Sequence, residues 1–255
     1  MCIRDRVYAH QTSPKVYRPF IMTEYLHTMG NSGGGLKEYM EVFESEPVVQ
    51  GGCIWDWVDQ SFREVDAHGK WYWAYGGDYG PENIPSFGNF CCNGLVNAVR
   101  EPHPHLKEVK KAYQYIKCTL KDPKNLTIAI KNWYDFTNLN AYVLKCSIVG
   151  DNGKILAKGE QSIEAAPHAT TEVSLGGVRL PRNIREAYLN LSWTPKKKSA
   201  FIGTDDEVAY DQFVLPANSQ YRPTLAKLSE KPEIQIDPKT GALTSYIYEG
   251  QEYLA

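Results

Sequence analysis

The sequence is short of several things, and each shortage excludes a class of protein. It has no apolar run approaching the roughly 20 residues that span a bilayer, so a soluble chain without a membrane partner is expected. Neither sign of charge dominates, since 28 Lys and Arg stand against 30 Asp and Glu. The resulting net charge of −2 leaves no large positive field for a phosphate backbone, which argues against nucleic acid as a partner. No CxxC pair occurs among the six Cys, at positions 2, 53, 91, 92, 118 and 146, so no zinc site is indicated and reduced thiols are expected. There is no internal repeat. Aromatic residues are plentiful, with 17 Tyr and 6 Trp in 255 residues. Flat amphipathic rings are enriched where proteins meet ligands and partners. At 42% hydrophobic and 23% charged, the composition is that of an ordinary globular protein, long enough for one large domain or two ordinary ones.

The pattern along the chain changes near residue 120. Residues 18–24 read as a buried strand, and after the glycine-rich run 30–35 the residues Leu36, Tyr39, Met40 and Phe43 recur at helical spacing. Asn31 or Ser32 is placed to cap that helix, Pro47 follows it, and 48–57 supplies a second strand, giving a β-α-β unit. Residues 59–100 form a connection far beyond the usual length of about 4–6 residues, and their Trp, Tyr, Phe and Asn content suggests a ligand-lining excursion. Pro104 then opens a helix whose Leu106, Val109, Tyr113 and Ile116 share one face. Beyond Cys118 the helical period gives way to short β runs at 126–133, 141–149, 154–161, 170–175, 187–193 and 207–215. Asp151-Asn152-Gly153 is a hairpin turn signal, and the whole set predicts a β-sandwich. The stretch 216–232, with Pro216, Pro223 and Pro232, reads as a linker, and 233–253 begins a further β segment. Lys196-Lys197-Lys198 reads as a solvated turn.

Glu24 is the first candidate for chemistry. It lies at the carboxyl end of an apolar strand, directly before a glycine-rich loop, where parallel α/β folds place their ligands. A carboxylate there can serve as nucleophile or as general acid/base, with Tyr25 and His27 near enough in sequence to hydrogen-bond it or a substrate; it can also simply cap the loop. Trp55 holds the corresponding position on the next strand, in Gly52-Cys53-Ile54-Trp55-Asp56-Trp57. An aromatic platform beside a carboxylate suits a sugar, whose C–H face packs on a ring while its hydroxyls need directed polar groups such as His27, Asp56 and Asn93. Core packing is the plainer role for any one Trp.

Four ordered motifs carry a resemblance. Residues 24–32 (Glu-Tyr-Leu-His-Thr-Met-Gly-Asn-Ser), 51–60, 75–80 (Tyr-Gly-Gly-Asp-Tyr-Gly) and 90–95 (Phe-Cys-Cys-Asn-Gly-Leu) are similar to successive signatures of glycoside hydrolase family 2 β-galactosidases. The resemblance covers about residues 15–255 and is strongest over 18–117. It implies an α/β plus all-β chain: the last two βα units of a TIM barrel (1–118), an immunoglobulin-like β-sandwich (119–217), then a linker and the opening strands of a further β domain (218–255). It implies a retaining β-galactosidase that forms a covalent galactosyl-enzyme, with a β-galactoside as substrate. Glu24 matches the nucleophile, His27 a galactose-binding histidine, and Trp55 the tryptophan under the sugar. The Phe90 carbonyl and Asn93 match ligands of a sodium ion that helps bind the galactose 6-hydroxyl, and the run His27-x-Met29-Gly30-Asn31 points to the galactosidase branch.

The departure from the family is also informative. A retaining glycosidase uses two carboxylates about 5–5.5 Å apart, and only one is recognisable here, because Asp56, Asp59 and Asp78 do not match the acid/base motif. The family's acid/base glutamate, its magnesium ligands and a further sodium-binding aspartate belong to barrel strands that precede residue 1, so magnesium is expected only in the full-length enzyme. Residues 1–6 do not match the family and read as translated adapter sequence. The chain is therefore expected to be a fragment, inactive alone, with its barrel part folding poorly by itself and its sandwich folding better. A homo-oligomeric parent is implied, and the compartment stays open between cytoplasm and periplasm. The rival reading is a non-catalytic carbohydrate-binding or assembly module, or another family 2 β-glycosidase.

Overall fold

The computed structural model describes residues 18–177, 179–216, 218–222 and 231–254. Residues 1–6, with Cys2, and much of the Pro-rich stretch 216–232, including Pro223, lie outside the described residues. The chain is mostly β. Among the described residues no helix is long and apolar enough to cross a membrane.

Strand β1 (Phe20–Tyr25), helix α1 (Leu36–Ser45) and strand β2 (Val49–Ile54) form the expected β-α-β unit, with β1 and β2 parallel. The apolar stripe of α1 drives its docking: Leu36, Tyr39, Met40 and Phe43 pack on Met22, Tyr25 and Ile54. The strands approach closely because Gly52 has no side chain; a Cβ there would stand 2.7 Å from the Met22 carbonyl oxygen. The expected cap of α1 is not made by Asn31 or Ser32. The helix starts after Gly35, at φ 81 and without a side-chain cap, while the Ser32 hydroxyl donates to the carbonyls of His27 and Met29. Gly33 and Gly35 both take positive φ, so the chain turns after Ser32 and carries that hydroxyl away from the helix end.

The 59–100 excursion is not all loop. It contains an antiparallel hairpin, β3 (Phe62–Val65) and β4 (Trp71–Ala74), closed by Asp66, whose carboxylate accepts from the N–H groups of His68 and Lys70. Helix α2 (His105–Ala112) starts after Pro104 as expected, but it stops at Tyr113. Ile116, placed by its spacing on the helix's apolar face, instead opens β5 (Ile116–Asp122) and is fully buried in a different core. Tertiary burial overrides a spacing that merely continued by chance.

Seven strands then form two antiparallel sheets. One has the order β5, β6 (Thr127–Asn132), β9 (Thr170–Ser174); the other has the order β11 (Ala209–Val214), β10 (Ala187–Pro195), β7 (Tyr142–Gly150), β8 (Ile155–Gln161). Their inward residues share one core, with Ile128 and Ile130 from the first sheet and Leu144, Leu189, Leu191 and Trp193 from the second. The turn at Asp151-Asn152-Gly153 joins β7 to β8, with Gly153 at φ 76. A separate small sheet, β12 (Glu233–Ile236), β13 (Leu243–Tyr248) and β14 (Gln251–Glu252), follows.

The α/β part and the two-sheet part are clasped at α2 and β11. The Lys111 ammonium donates to the Tyr210 carbonyl and, at 2.7 Å, to Asp211, whose other oxygen accepts from the Cys118 N–H at 3.0 Å. Nearby, Tyr115, Tyr134 and Tyr142 stack in series, with ring centroids 5.0 and 5.5 Å apart and planes within 18° and 9° of parallel.

Candidate active site

The site is built from three parallel stretches of chain. Beyond the ends of β1 and β2 the pairing continues: the Trp55 N–H donates to the Tyr25 carbonyl and the Thr28 N–H to the Trp55 carbonyl, both at 3.0 Å. Residues 93–96 then line the other side of 56–59. Asp56 N–H donates to Asn93 O, Leu95 N–H to Asp56 O, Val96 N–H to Trp57 O and Asp59 N–H to Val96 O, at 2.8 to 3.1 Å. These main-chain bonds bring Glu24, His27, Trp55 and Asn93 to one end of the parallel stretches.

Glu24 owes its direction to an irregularity in β1. Met22 faces Gly52 and Tyr25 faces Ile54, so three steps on β1 oppose two on β2. The extra residue lets Met22 and Tyr25 both face the helices, while Thr23 and Glu24 are left exposed. Among the described residues the Glu24 carboxylate has no hydrogen-bond or ion-pair partner, so it is free to meet a ligand. Tyr25, considered as a partner for Glu24, lies elsewhere: it is buried against α1, its hydroxyl meets that of Tyr113, and burial holds its phenol above the ordinary range.

Trp55 and Trp57, just beyond the end of β2, are exposed, and Asp56 between them is half-buried. The Trp55–Asp56 peptide is cis. Asp56 accepts from the Gln60 side-chain amide at 2.9 Å. The His27 ring lies 5.4 Å from that of Phe90, inclined by 39°. Asn93 is almost fully buried: its main-chain oxygen accepts from Asp56 N–H and the Thr28 hydroxyl, and its Nδ2 donates to the Phe90 carbonyl at 2.7 Å. Its Oδ1 is buried with no hydrogen-bond partner among the described residues. Buried polar atoms are rarely left unpaired. The Asn93 amide oxygen and the Phe90 carbonyl are hard oxygens of the kind a sodium ion takes, but with Nδ2 turned to that carbonyl only the amide oxygen is left open, which is far from a complete shell. Among the described residues no three His, Cys, Asp or Glu side chains gather to hold a metal.

The family model described as glycosyl hydrolases family 2, TIM barrel domain, matches residues 4–118, and that described as β-galactosidase, domain 4, matches residues 128–216. Over residues 4–118 this chain belongs to glycosyl hydrolase family 2. The family 2 chain is 38% identical to a β-galactosidase of Priestia megaterium over 93% of its own length and 24% of that protein. It is 37% identical to a β-galactosidase 2 of Enterobacter cloacae, over 80% of the chain and 20% of that protein, and 36% identical to a β-galactosidase of Klebsiella pneumoniae, over 94% and 25%. The chain thus spans about a quarter of the length of the curated relatives it matches. Among solved structures, an exo-chitosanase of Amycolatopsis orientalis aligns with a TM-score of 0.32 and 9% identity over 56% of this chain and 14% of that one, a likeness too slight to bear on the fold.

Two residues of the family 2 chain that sequence reasoning passed over stand close to the candidate site. Thr28 binds the main chain of Asn93 through its hydroxyl. Asp59, noted only for failing to match an acid/base motif, accepts from the Gly94 N–H at 2.7 Å and meets His103 Nε2 at 2.8 Å. Thr28 lies inside a recognised motif and could have been singled out; the Asp59–His103 pair is separated by 44 positions and leaves no local signal.

Proposed function

We propose that this chain is the part of a retaining β-galactosidase that carries the nucleophile, with its parallel stretches the last strands of an eight-stranded barrel and its two sheets an immunoglobulin-like sandwich. Glu24 attacks the anomeric carbon of a terminal β-galactoside as the bond to the leaving oxygen breaks, and a covalent galactosyl-enzyme forms. The carboxylic acid that protonates the leaving oxygen, and then activates the hydrolytic water, belongs to the rest of the parent. Trp55 carries the sugar's apolar face, and His27, held against Phe90, presents its ring nitrogens to the sugar hydroxyls. The Phe90 carbonyl and Asn93 Oδ1 are the oxygens that would hold a sodium ion. When bound, the ion supplies a positive charge for the 6-hydroxyl oxygen of the galactose.

One observation carries the reading: at the carboxyl end of two parallel strands, the bulge in β1 leaves a carboxylate with no partner among the described residues, and the neighbouring strand leads into an exposed indole. In the full-length protein, Glu24→Gln is expected to lower turnover of a nitrophenyl β-galactoside by at least about a thousandfold, with galactoside binding retained in a calorimetric titration. Turnover close to that of the unaltered protein would overturn the assignment. Sugar binding without turnover in the unaltered full-length protein would favour the non-catalytic reading, to which the exposed aromatics of the 62–90 excursion are suited.

A further inference from the structure

Asp59 stands where the extension of β2 ends, with its side chain 12% exposed. Its carboxylate turns back along the ladder, and both oxygens are engaged. Oδ1 accepts from the Gly94 N–H at 2.7 Å, and Oδ2 faces His103 Nε2 at 2.8 Å. The main chain makes the same junction, since Asp59 N–H donates to Val96 O at 3.0 Å and His103 N–H to Leu95 O at 2.9 Å, with Val96 bridged to Pro102 in antiparallel fashion. A single carboxylate therefore fastens both limbs of the turn, 94–96 and 102–103, to the end of the second strand. Gly94 permits this closeness: a Cβ there would lie 2.3 Å from both Asp59 N and Val96 O.

The residue directly before Gly94 is Asn93. The Asn93–Gly94 peptide is held at both edges of its plane, its oxygen by Asp56 N–H and the Thr28 hydroxyl and its N–H by the Asp59 carboxylate. With that peptide plane fixed, the direction in which the Asn93 side chain leaves the backbone is set, and the Nδ2 bond to the Phe90 carbonyl fixes how its amide, and so the unpaired Oδ1, is turned. A carboxylate already accepting two hydrogen bonds is poorly placed for proton transfer to a sugar, so Asp59 acts through geometry. We propose that Asp59, backed by His103, is a positioning residue that sets where the Asn93 amide oxygen stands and so determines how strongly the site discriminates for the 6-hydroxyl of the galactoside. The proposal rests on the reading of Asn93 given above.

Its test compares two substrates in the full-length protein, a nitrophenyl β-galactoside and its 6-deoxy counterpart, by the ratio of their kcat/KM values. Asp59→Ala is expected to lower that ratio by about tenfold, in the range seen when groups supporting a ligand are removed, through a raised KM for the galactoside, with the 6-deoxy substrate unaffected. His103→Ala is expected to shift the ratio in the same direction, and His103→Gln, which keeps an N–H for the carboxylate, to restore it. Equal losses on both substrates, or an unchanged ratio, would overturn the proposal, because a merely structural role does not distinguish a hydroxyl from a hydrogen. Should Asp59→Ala fail to fold, the two His103 variants decide by the same criterion. If the unaltered protein cleaves neither substrate, the galactosidase reading falls and this inference with it; if it cleaves both and only the variants' ratio stays put, this inference falls alone.

Discussion

Cys53 and Cys118 carry the same thiol in opposite settings. Cys53 is exposed on β2, whereas Cys118 packs against the core shared by the two sheets. Burial, followed by the negative charge of Asp211, pushes the Cys118 thiol far above its ordinary range. Two outcomes follow. Iodoacetamide at mildly alkaline pH is expected to label Cys53 early and Cys118 only on unfolding, read by peptide mass spectrometry. In the unfolded chain the Cys118 thiol ionises near about pH 8.5, while the folded chain keeps its proton, so the unfolded state binds fewer protons as pH rises. Stability therefore falls with pH above that value. Replacing Cys118 by Ala is expected to flatten the decline of Tm between about pH 8 and pH 9.5; an unchanged slope would mean that the thiol does not titrate on unfolding. Cys92, pushed up to about 11 by burial and by the neighbouring Cys91 and Asp59, adds to the same trend.

At the scale of elements, β10 is the member on which the two-sheet part depends most. It lies between β7 and β11, and Leu189, Leu191 and Trp193 project from it into the core. Trp193→Ala is expected to cost about 3–5 kcal/mol, measured by urea unfolding, whereas the same change at the exposed Trp71 of β4 should leave the midpoint unmoved. Elements of this kind were legible in the sequence because alternating apolar residues between turn signals have one reading. The failures have equally definite causes. Ile116 continued the spacing of α2, and nothing local reveals that the chain has already left the helix. The hairpin of β3 and β4 was hidden because its strands are only four residues long, β3 is exposed throughout, and β4 is buried only at its end, so no alternation of buried and exposed residues marks either. At the candidate site, Glu24, Trp55 and Asn93 were visible through their motifs. The bulge that turns Glu24 outward depends on pairing with β2, and the junction of Asp59 with His103 depends on the whole excursion having folded back.

The molecule as a whole is unevenly consolidated. The core between the two sheets contains sixteen buried apolar residues among those described, and the one beneath α1 and α2 contains five. Among the described residues nothing covers the face of the parallel stretches away from the helices, where Ile21 is 58% and Trp57 61% exposed. Such a face needs further strands or another surface to become stable. Limited proteolysis of the 255-residue chain is therefore expected to cut first within residues 18–100 and to leave a resistant piece spanning 116–216, identified by mass spectrometry. Cutting at comparable rates throughout would mean that the clasp of Lys111 on Asp211 makes one cooperative unit of the two parts.

The tyrosine series at the seam has a consequence of a different kind. Tyr115 belongs to the link between α2 and β5, while Tyr134 and Tyr142 belong to the two-sheet part, and their stacking holds the three phenols fixed against one another. A phenol held rigidly in an asymmetric packing gives a circular dichroism in the near ultraviolet that a freely turning ring lacks. The chain thus contains its own optical gauge of whether its two parts are joined, and that signal should fade when the seam parts, while the far-ultraviolet signature of the strands persists.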